Sequence, residues 1–296
     1  MKNAISKSRL NNLINTLRIS PLKLKIGLSI LLLLSFIALL EPMISSYVLA
    51  GRSTSGTFMP LLPLSLEHPL GTDNFGRDVL ATVIAGLRNS LLIGFLAGLI
   101  SMFVAIITGF TAGYKGGKTD QLVTATTDAL LVLPTLPIFL VIVYYTKIAD
   151  VWTMSVILAV FSWAWPMRTV RAQVLSLKER PFIDLAKITG LNDFEIMFKE
   201  ILPNFLPYLG VGFANSVLGA LLAETGLRLL GLGPAQMITL GVLIQTYLAF
   251  GLISLRAYHV ILSPIIVVVL LFVSLNLINV GLDEQFNPRL KEITGI

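Results

Sequence analysis

Few residues of this chain could do chemistry, and several of those sit inside apolar runs. Asp128 follows Thr124, Thr126 and Thr127, about 12 Å into a hydrophobic stretch at ~1.5 Å per residue. An ionisable group at that depth ordinarily faces protein and has a partner, so Asp128 is either half of a structural ion pair or part of a gate. Its depth matches Arg168 and Arg171 at the end of a later apolar run, and one of these arginines is the expected partner. Glu224 and Arg228 stand four apart, the spacing of a local pair on one helix face; the alternative is that they line a pathway. With no cysteine there is no disulfide framework, thiol nucleophile or Cys-based metal site. The histidines, His68 and His259, are far apart in sequence and offer no His-rich metal site. GYKGGKT at 113–119 looks like a phosphate loop, but G-x-x-x-x-G-K-[ST] would need glycine where Ala112 stands. It also follows a membrane helix rather than a strand. The apolar runs hold no H-E-x-x-H or G-x-S-x-G constellation. The chain is therefore not expected to be an enzyme.

The elements that position these residues belong to a membrane. Mean hydropathy is +0.85, with 55% hydrophobic and 13% charged residues over 296 positions. That composition places the chain among integral membrane proteins and leaves no room for a soluble catalytic domain. A net charge of +6 could suggest nucleic acid, but the basic residues are scattered between apolar runs, as membrane topology requires. Six spans are expected: one from Ile26, then Ser90–Tyr114, Leu122–Tyr145, Val151–Val170, Phe205–Ala223 and Tyr258–Leu282. The competing reading of the N-terminus is a signal peptide cleaved near Val48-Leu49-Ala50, which would have an unusually long basic region. With a cytoplasmic N-terminus, the inner segments hold sixteen Lys and Arg (six, two, six and two in turn) and the outer segments six. Both termini and the 177–203 segment are then cytoplasmic. Gly94/Gly98 and Gly109/Gly113 read as helix-packing surfaces, and Pro134, Pro137 and Pro166 as kinks.

The longest polar interruption of the C-terminal two-thirds is LKERPFIDLAKITGLNDFEIMFKEILP, Leu177 to Pro203. It reads as two short helices around a glycine. Pro181 suits a first helical position, and Phe182, Leu185, Ala186 and Thr189 then share one face. Gly190 sits where a helix ends in the left-handed conformation. Asn192 and Glu195 form a capping box. Phe194, Met197, Phe198 and Ile201 make an apolar stripe, Glu195 and Lys199 a favourable pair, and Leu202-Pro203 the end.

This spacing resembles the cytoplasmic signature loop of permease subunits of binding-protein-dependent ABC importers: Glu-Ala-Ala, a glycine, then Leu-Pro. Asp184-Leu185-Ala186, Gly190 and Leu202-Pro203 occupy those places, with Asp and Leu departing from the pattern. HPLGTDNFGRDVL, His68 to Leu80, resembles the His-Pro-Leu-Gly-Thr-Asp…Gly-Arg-Asp segment of the shorter permease in peptide-type importers. There Gly71 and Gly76 read as turns, and Asp73, Arg77 and Asp78 as charges at the outer surface. Ala112-Gly113-Tyr114-Lys115-Gly116-Gly117, Ser162-Trp163, Val170-Arg171, Gln173–Arg180, Ile201–Asn204 and Leu230–Gly233 also look like that family. Where many members have Pro-Ser-Trp-Gly, this chain has Ile238-Thr239-Leu240-Gly241, which leaves the substrate open between peptides, oligosaccharides and a metal.

The resemblance implies an all-α polytopic permease fold of about six transmembrane helices, forming half of a translocation pathway in the cell membrane. Its partners would be a homologous second permease, two cytoplasmic ATPase subunits and an extracytoplasmic substrate-binding protein, with no nucleic acid. This chain would bind no cofactor or metal; ATP and Mg would belong to the ATPase subunits. The organisation expected is a cytoplasmic segment (1–25), a first transmembrane helix (26–48), an outer segment with GTDNFGRD (49–89), a five-helix core (90–282) and a cytoplasmic tail (283–296). Phe182, Asp184, Leu185, Ala186, Gly190, Phe194, Phe198 and Pro203 would contact the ATPase; Asp128, Arg168, Arg171, Glu224 and Arg228 would be pathway or gate residues. The rival is a self-contained secondary transporter or channel, which would show an inverted repeat or a midplane charge relay, for which Asp128 is the candidate.

Overall fold

The computed structural model describes residues 20–48, 58–146, 150–232 and 237–286, and the described residues are helical with connecting turns. In chain order the helices are α1 (Leu22–Leu39), α2 (Glu41–Val48), α3 (Val79–Lys115), α4 (Gly117–Val132), α5 (Thr135–Thr146), α6 (Val151–Ser162) and α7 (Ala164–Lys178). Then come α8 (Pro181–Ile188), the single turn α9 (Asp193–Glu195), a π-helical stretch (Ile196–Ile201), α10 (Leu202–Leu229), α11 (Leu240–Ala249) and α12 (Tyr258–Phe286). Ala50 and part of the 1–25 segment lie outside the described residues, as do 287–296 of the C-terminal tail.

Helix α3 is the axis. It starts at Val79 rather than at Ser90, because Asp78 caps it: its Oδ1 accepts the Ala81 N–H at 3.1 Å. Its 37 residues give a rod of about 55 Å, longer than the ~30 Å hydrocarbon core. The glycine pairs along it are packing surfaces. A Cβ on Gly94 or Gly98 would lie 2.6 Å from Leu221 or Val217 of α10, and Gly109 and Gly113 press as closely on Val170 and Val174 of α7. Leu34 and Ala38 of α1 join the largest apolar cluster, with Val83, Leu243, Tyr247 and Leu271. α1 thus packs into the helical bundle.

Among the described residues, four helices are long and apolar enough to cross a membrane: α1, α3, the Tyr208–Leu229 part of α10, and α12. The pair α4–α5 makes five if counted as one span, bent by 86°. The bend is at Leu133, which is held extended (φ −64°, ψ 134°) by Pro134 after it. The span expected over 151–170 is broken at Trp163, and its apolar part, α6, has 12 residues, about 18 Å. Pro166 cannot donate to the Ser162 carbonyl, which weakens the ladder across this break. The three prolines expected to kink helices therefore mark breaks and first turns. Pro264 lies inside α12.

Candidate functional site

The two ends of α3 carry the residues singled out by sequence. At its N-terminal end, residues 58–80 form a hydrogen-bonded knot. Asp73 Oδ1 accepts the backbone N–H groups of Phe75 (2.8 Å) and Arg77 (2.9 Å), while the Arg77 guanidinium donates Nε and Nη2 to Asp73 Oδ2, both at 2.7 Å. His68 Nδ1 lies 2.8 Å from Asp78 Oδ2, and Thr72 Oγ1 donates to the Met59 carbonyl at 2.7 Å. Asp73 and Asp78 are fully buried. This corrects the expectation that they present charge at a surface: Asp73 is satisfied inside the chain by backbone N–H groups and the Arg77 guanidinium, and Asp78 by the Ala81 N–H and His68. Gly76 has φ +70°, and a Cβ there would overlap the Phe58 carbonyl oxygen, so both conformation and space require glycine.

Close by in sequence to α11, Glu224 and Arg228 of α10 form the local pair, Arg228 Nε donating to Glu224 Oε1 at 3.2 Å. Thr239, the N-cap of α11, donates its hydroxyl to the same oxygen at 2.7 Å. Both charged side chains are almost completely buried within this chain. These bonds tie α11 to α10, and Asn89 Nδ2 of α3 donates to the Ile238 carbonyl at 2.7 Å.

At the other end lies the hairpin of α8 and α9. Pro181 occupies the first turn of α8, and Gly190 has φ +86°. Asn192 Oδ1 accepts the Glu195 N–H (2.9 Å) and Glu195 Oε2 accepts the Asn192 N–H (3.2 Å), a complete capping box. Lys199 donates to Glu195 Oε1 at 2.7 Å, and this bond with that from the Asn192 backbone holds the Glu195 carboxyl below the ordinary glutamate range.

The faces differ from the expected ones. Ile183, Ala186, Ile196 and Ile201 are buried in a cluster with Phe110, Tyr114, Val170, Val174 and Phe205. Leu185 (62% exposed), Ile188 (83%), Phe194 (68%) and Phe198 (51%) point out. The expected stripe of Phe194, Met197, Phe198 and Ile201 is thus split, because the 196–201 stretch is wound as a π-helix and not at 3.6 residues per turn. Ala186, expected to enter a partner, is buried in its own chain. Leu202-Pro203 does not end the helix either: Pro203 falls in the first turn of α10, where its missing N–H is tolerated. Phe182 is half-buried, and Asp184 is exposed with Lys187 Nζ 3.6 Å away.

Between the ends, α4 is tied to α7 by polar contacts. Arg168 Nη2 donates to Asp128 Oδ1, and both side chains remain half-exposed. Arg171 pairs not with Asp128 but with Asp120, through Nε to Oδ1 and Nη2 to Oδ2 at 2.6 Å. Thr127, the buried residue of α4, donates to Met167 Sδ at 3.5 Å. Asp128 therefore has the kind of partner expected, but it does not face the interior of this chain.

Residues 105–292 match a family described as binding-protein-dependent transport system inner membrane components. The oligopeptide transport system permease protein OppC of Mycobacterium tuberculosis is 35% identical over 236 residues, 79% of this chain and 80% of that protein. The dipeptide transport system permease protein DppC of Bacillus subtilis is 32% identical over 268 residues, 90% of this chain and 81% of that protein.

The chain belongs to this permease family.

Its members are non-catalytic membrane components of transport systems. A self-contained secondary transporter is set aside by the same membership. Among the described residues no group of three or more His, Cys, Asp or Glu could hold a metal ion. Two features of the permease escape reading by sequence: the Asp120–Arg171 pair and the buried role of Asp73 and Asp78. For the first a signal exists. Asp120, Thr124 and Asp128 recur every four residues, one polar face of α4.

Proposed function

We propose that this permease is one of two homologous membrane subunits of a peptide importer, driven by two ATPase subunits and supplied by an extracytoplasmic binding protein. Peptides are favoured over oligosaccharides because the similar permeases are oligopeptide and dipeptide transport proteins. The sixteen-to-six distribution of Lys and Arg supports placing both termini and the hairpin in the cytoplasm and the 58–80 knot outside. In this reading α4–α5 and α6–α7 are the third and fourth of six spans, each broken. α4 and α5, bare at Leu122, Val132, Leu136 and Val141, face the second permease. Asp128 and Arg168 lie along the pathway between them, while Glu224 and Arg228 are structural.

The observation that carries the reading is the division of the hairpin's apolar residues. One set locks it onto its own bundle. The other, Leu185, Ile188, Phe194 and Phe198, stays exposed beside Asp184 and fits a groove on an ATPase subunit. A membrane subunit that performs no chemistry must receive its energy as differential contact with its partners in two states, and this is the surface that offers it.

Because the chain has no cysteine, Leu185→Cys introduces a single reporter thiol. In sealed vesicles an impermeant maleimide should label it from the cytoplasmic side, and bound ATPase subunits should protect it. Labelling only from the outside would overturn the orientation. Equal labelling with and without ATPase subunits would overturn the docking assignment.

A further inference from the structure

Tyr114, near the C-terminal end of α3, is buried although it stands where the helix leaves the bundle. Its hydroxyl donates to Asp193 Oδ1 at 2.8 Å, reaching the first residue of α9. Its backbone carbonyl accepts from Lys178 Nζ at 2.7 Å, and that ammonium also lies 5.7 Å from the Tyr114 ring centroid. Lys178 is the last residue of α7. One residue, through its hydroxyl and its backbone carbonyl, thus joins the ends of α3, α7 and the second arm of the hairpin. The ring packs in the cluster that receives Ile183, Ala186, Ile196 and Ile201. Farther along α7, the bidentate Arg171–Asp120 pair carries the connection on to α4.

Among the described residues the Tyr114–Asp193 bond is the polar side-chain contact between the hairpin and α3, and the apolar packing beside it resists sliding poorly. A phenol donating to a carboxylate is directional and charge-assisted. We propose that Tyr114 and Asp193 are positioning residues of the coupling step: their hydrogen bond makes the hairpin and the adjoining end of α3 move as one body. A displacement imposed on the hairpin then reaches α3, and through α7 reaches α4, instead of being absorbed in the 189–192 turn. This rests on the reading of the hairpin as the ATPase contact.

The test uses the full importer in proteoliposomes. Tyr114→Phe removes the hydroxyl and keeps the ring and the Lys178 bond; Asp193→Ala removes the acceptor from an exposed position. Each should lower the stimulation of ATP hydrolysis by substrate-loaded binding protein, and uptake with it, by about fivefold, at the low end of ordinary allosteric coupling. The amount of ATPase subunit co-purified should not change. The double variant should be no worse than either single one, since both remove the same bond, and Asp193→Asn, which keeps an acceptor, should recover most of the loss. A merely structural role would lower assembly and coupling in parallel and show no such rescue. Wild-type stimulation in Asp193→Ala, with Leu185→Cys still protected by the ATPase, would overturn the clasp and leave the docking site standing. Absence of that protection in Leu185→Cys with Tyr114 and Asp193 intact would sink both.

Discussion

At one end of α3, the charges of Asp73, Arg77 and Asp78 are met inside the chain, and glycines let two segments of backbone touch. At the other end, the hairpin buries four apolar side chains and leaves four more exposed. The charged groups of the knot are complete without a partner, so it suits a fixed base for the N-terminus of α3. The hairpin is finished on one face only. A polar segment with Leu185, Ile188, Phe194 and Phe198 exposed is stable as it stands because its inner face is anchored, and it becomes complete when something covers the outer one. Fixed and receptive ends on a single rigid helix are what a lever needs.

The largest expected effect lies in the knot. Asp73→Ala leaves the Arg77 guanidinium without its carboxylate and strips two backbone N–H groups of their acceptor, which should cost about 3–5 kcal/mol, the range for breaking a buried pair. Thermal unfolding in detergent and resistance of the 58–80 segment to proteolysis should both collapse. A variant as stable as the parent would show that the knot is not the fixed end.

Gly190→Val is the matching change at the hairpin, and the local surroundings separate it from a change at Gly76. Nothing lies within 4 Å of a Cβ on Gly190, so the penalty is conformational only, roughly 1–2 kcal/mol for a left-handed β-branched residue. Membrane insertion should persist while stimulated ATPase activity and uptake fall together. Asp184→Lys, at an exposed site, should give the same functional loss with little change in unfolding. Transport at the parent rate in both variants would make the hairpin a connector and erase the contrast between the ends.

Local chemistry explains which features could be read without coordinates. Gly190, Pro181 and the Asn192–Glu195 box are legible because each acts within a few residues, through left-handed backbone, a missing N–H and reciprocal caps. The face of the second arm is not, since assigning it assumes 3.6 residues per turn and Ile196–Ile201 departs from it. Where prolines turn one apolar run into two helices, at Leu133 and Trp163, the sequence pattern reads a single unbroken span. Asp73 and Asp78 were misplaced because hydropathy treats a carboxylate as solvent-seeking, whereas here backbone N–H groups, a guanidinium and a histidine satisfy it. The Tyr114–Asp193 bond spans 79 positions, and no local pattern announces it.

The smallest effect concerns the capping box, and it tests whether the hairpin's second arm is held from within. Asn192→Ala should loosen it by about 1 kcal/mol, the usual cost of losing an N-cap. The pH dependence then has a definite sign. Glu195 is held below its ordinary range by Lys199 and the Asn192 backbone, so the charged form is favoured in the folded hairpin. The stabilisation is complete above the ordinary glutamate pKa near 4.5 and is lost as pH falls through the lower folded value. Amide exchange of the 192–199 segment should therefore, after correction for intrinsic rates, accelerate as pH falls below the ordinary glutamate range. Glu195→Gln should remove that acid-dependent rise while keeping an acceptor for the Asn192 N–H. A hairpin whose protection is flat with pH in the parent chain would mean that Glu195 contributes no charge-dependent hold on the arm.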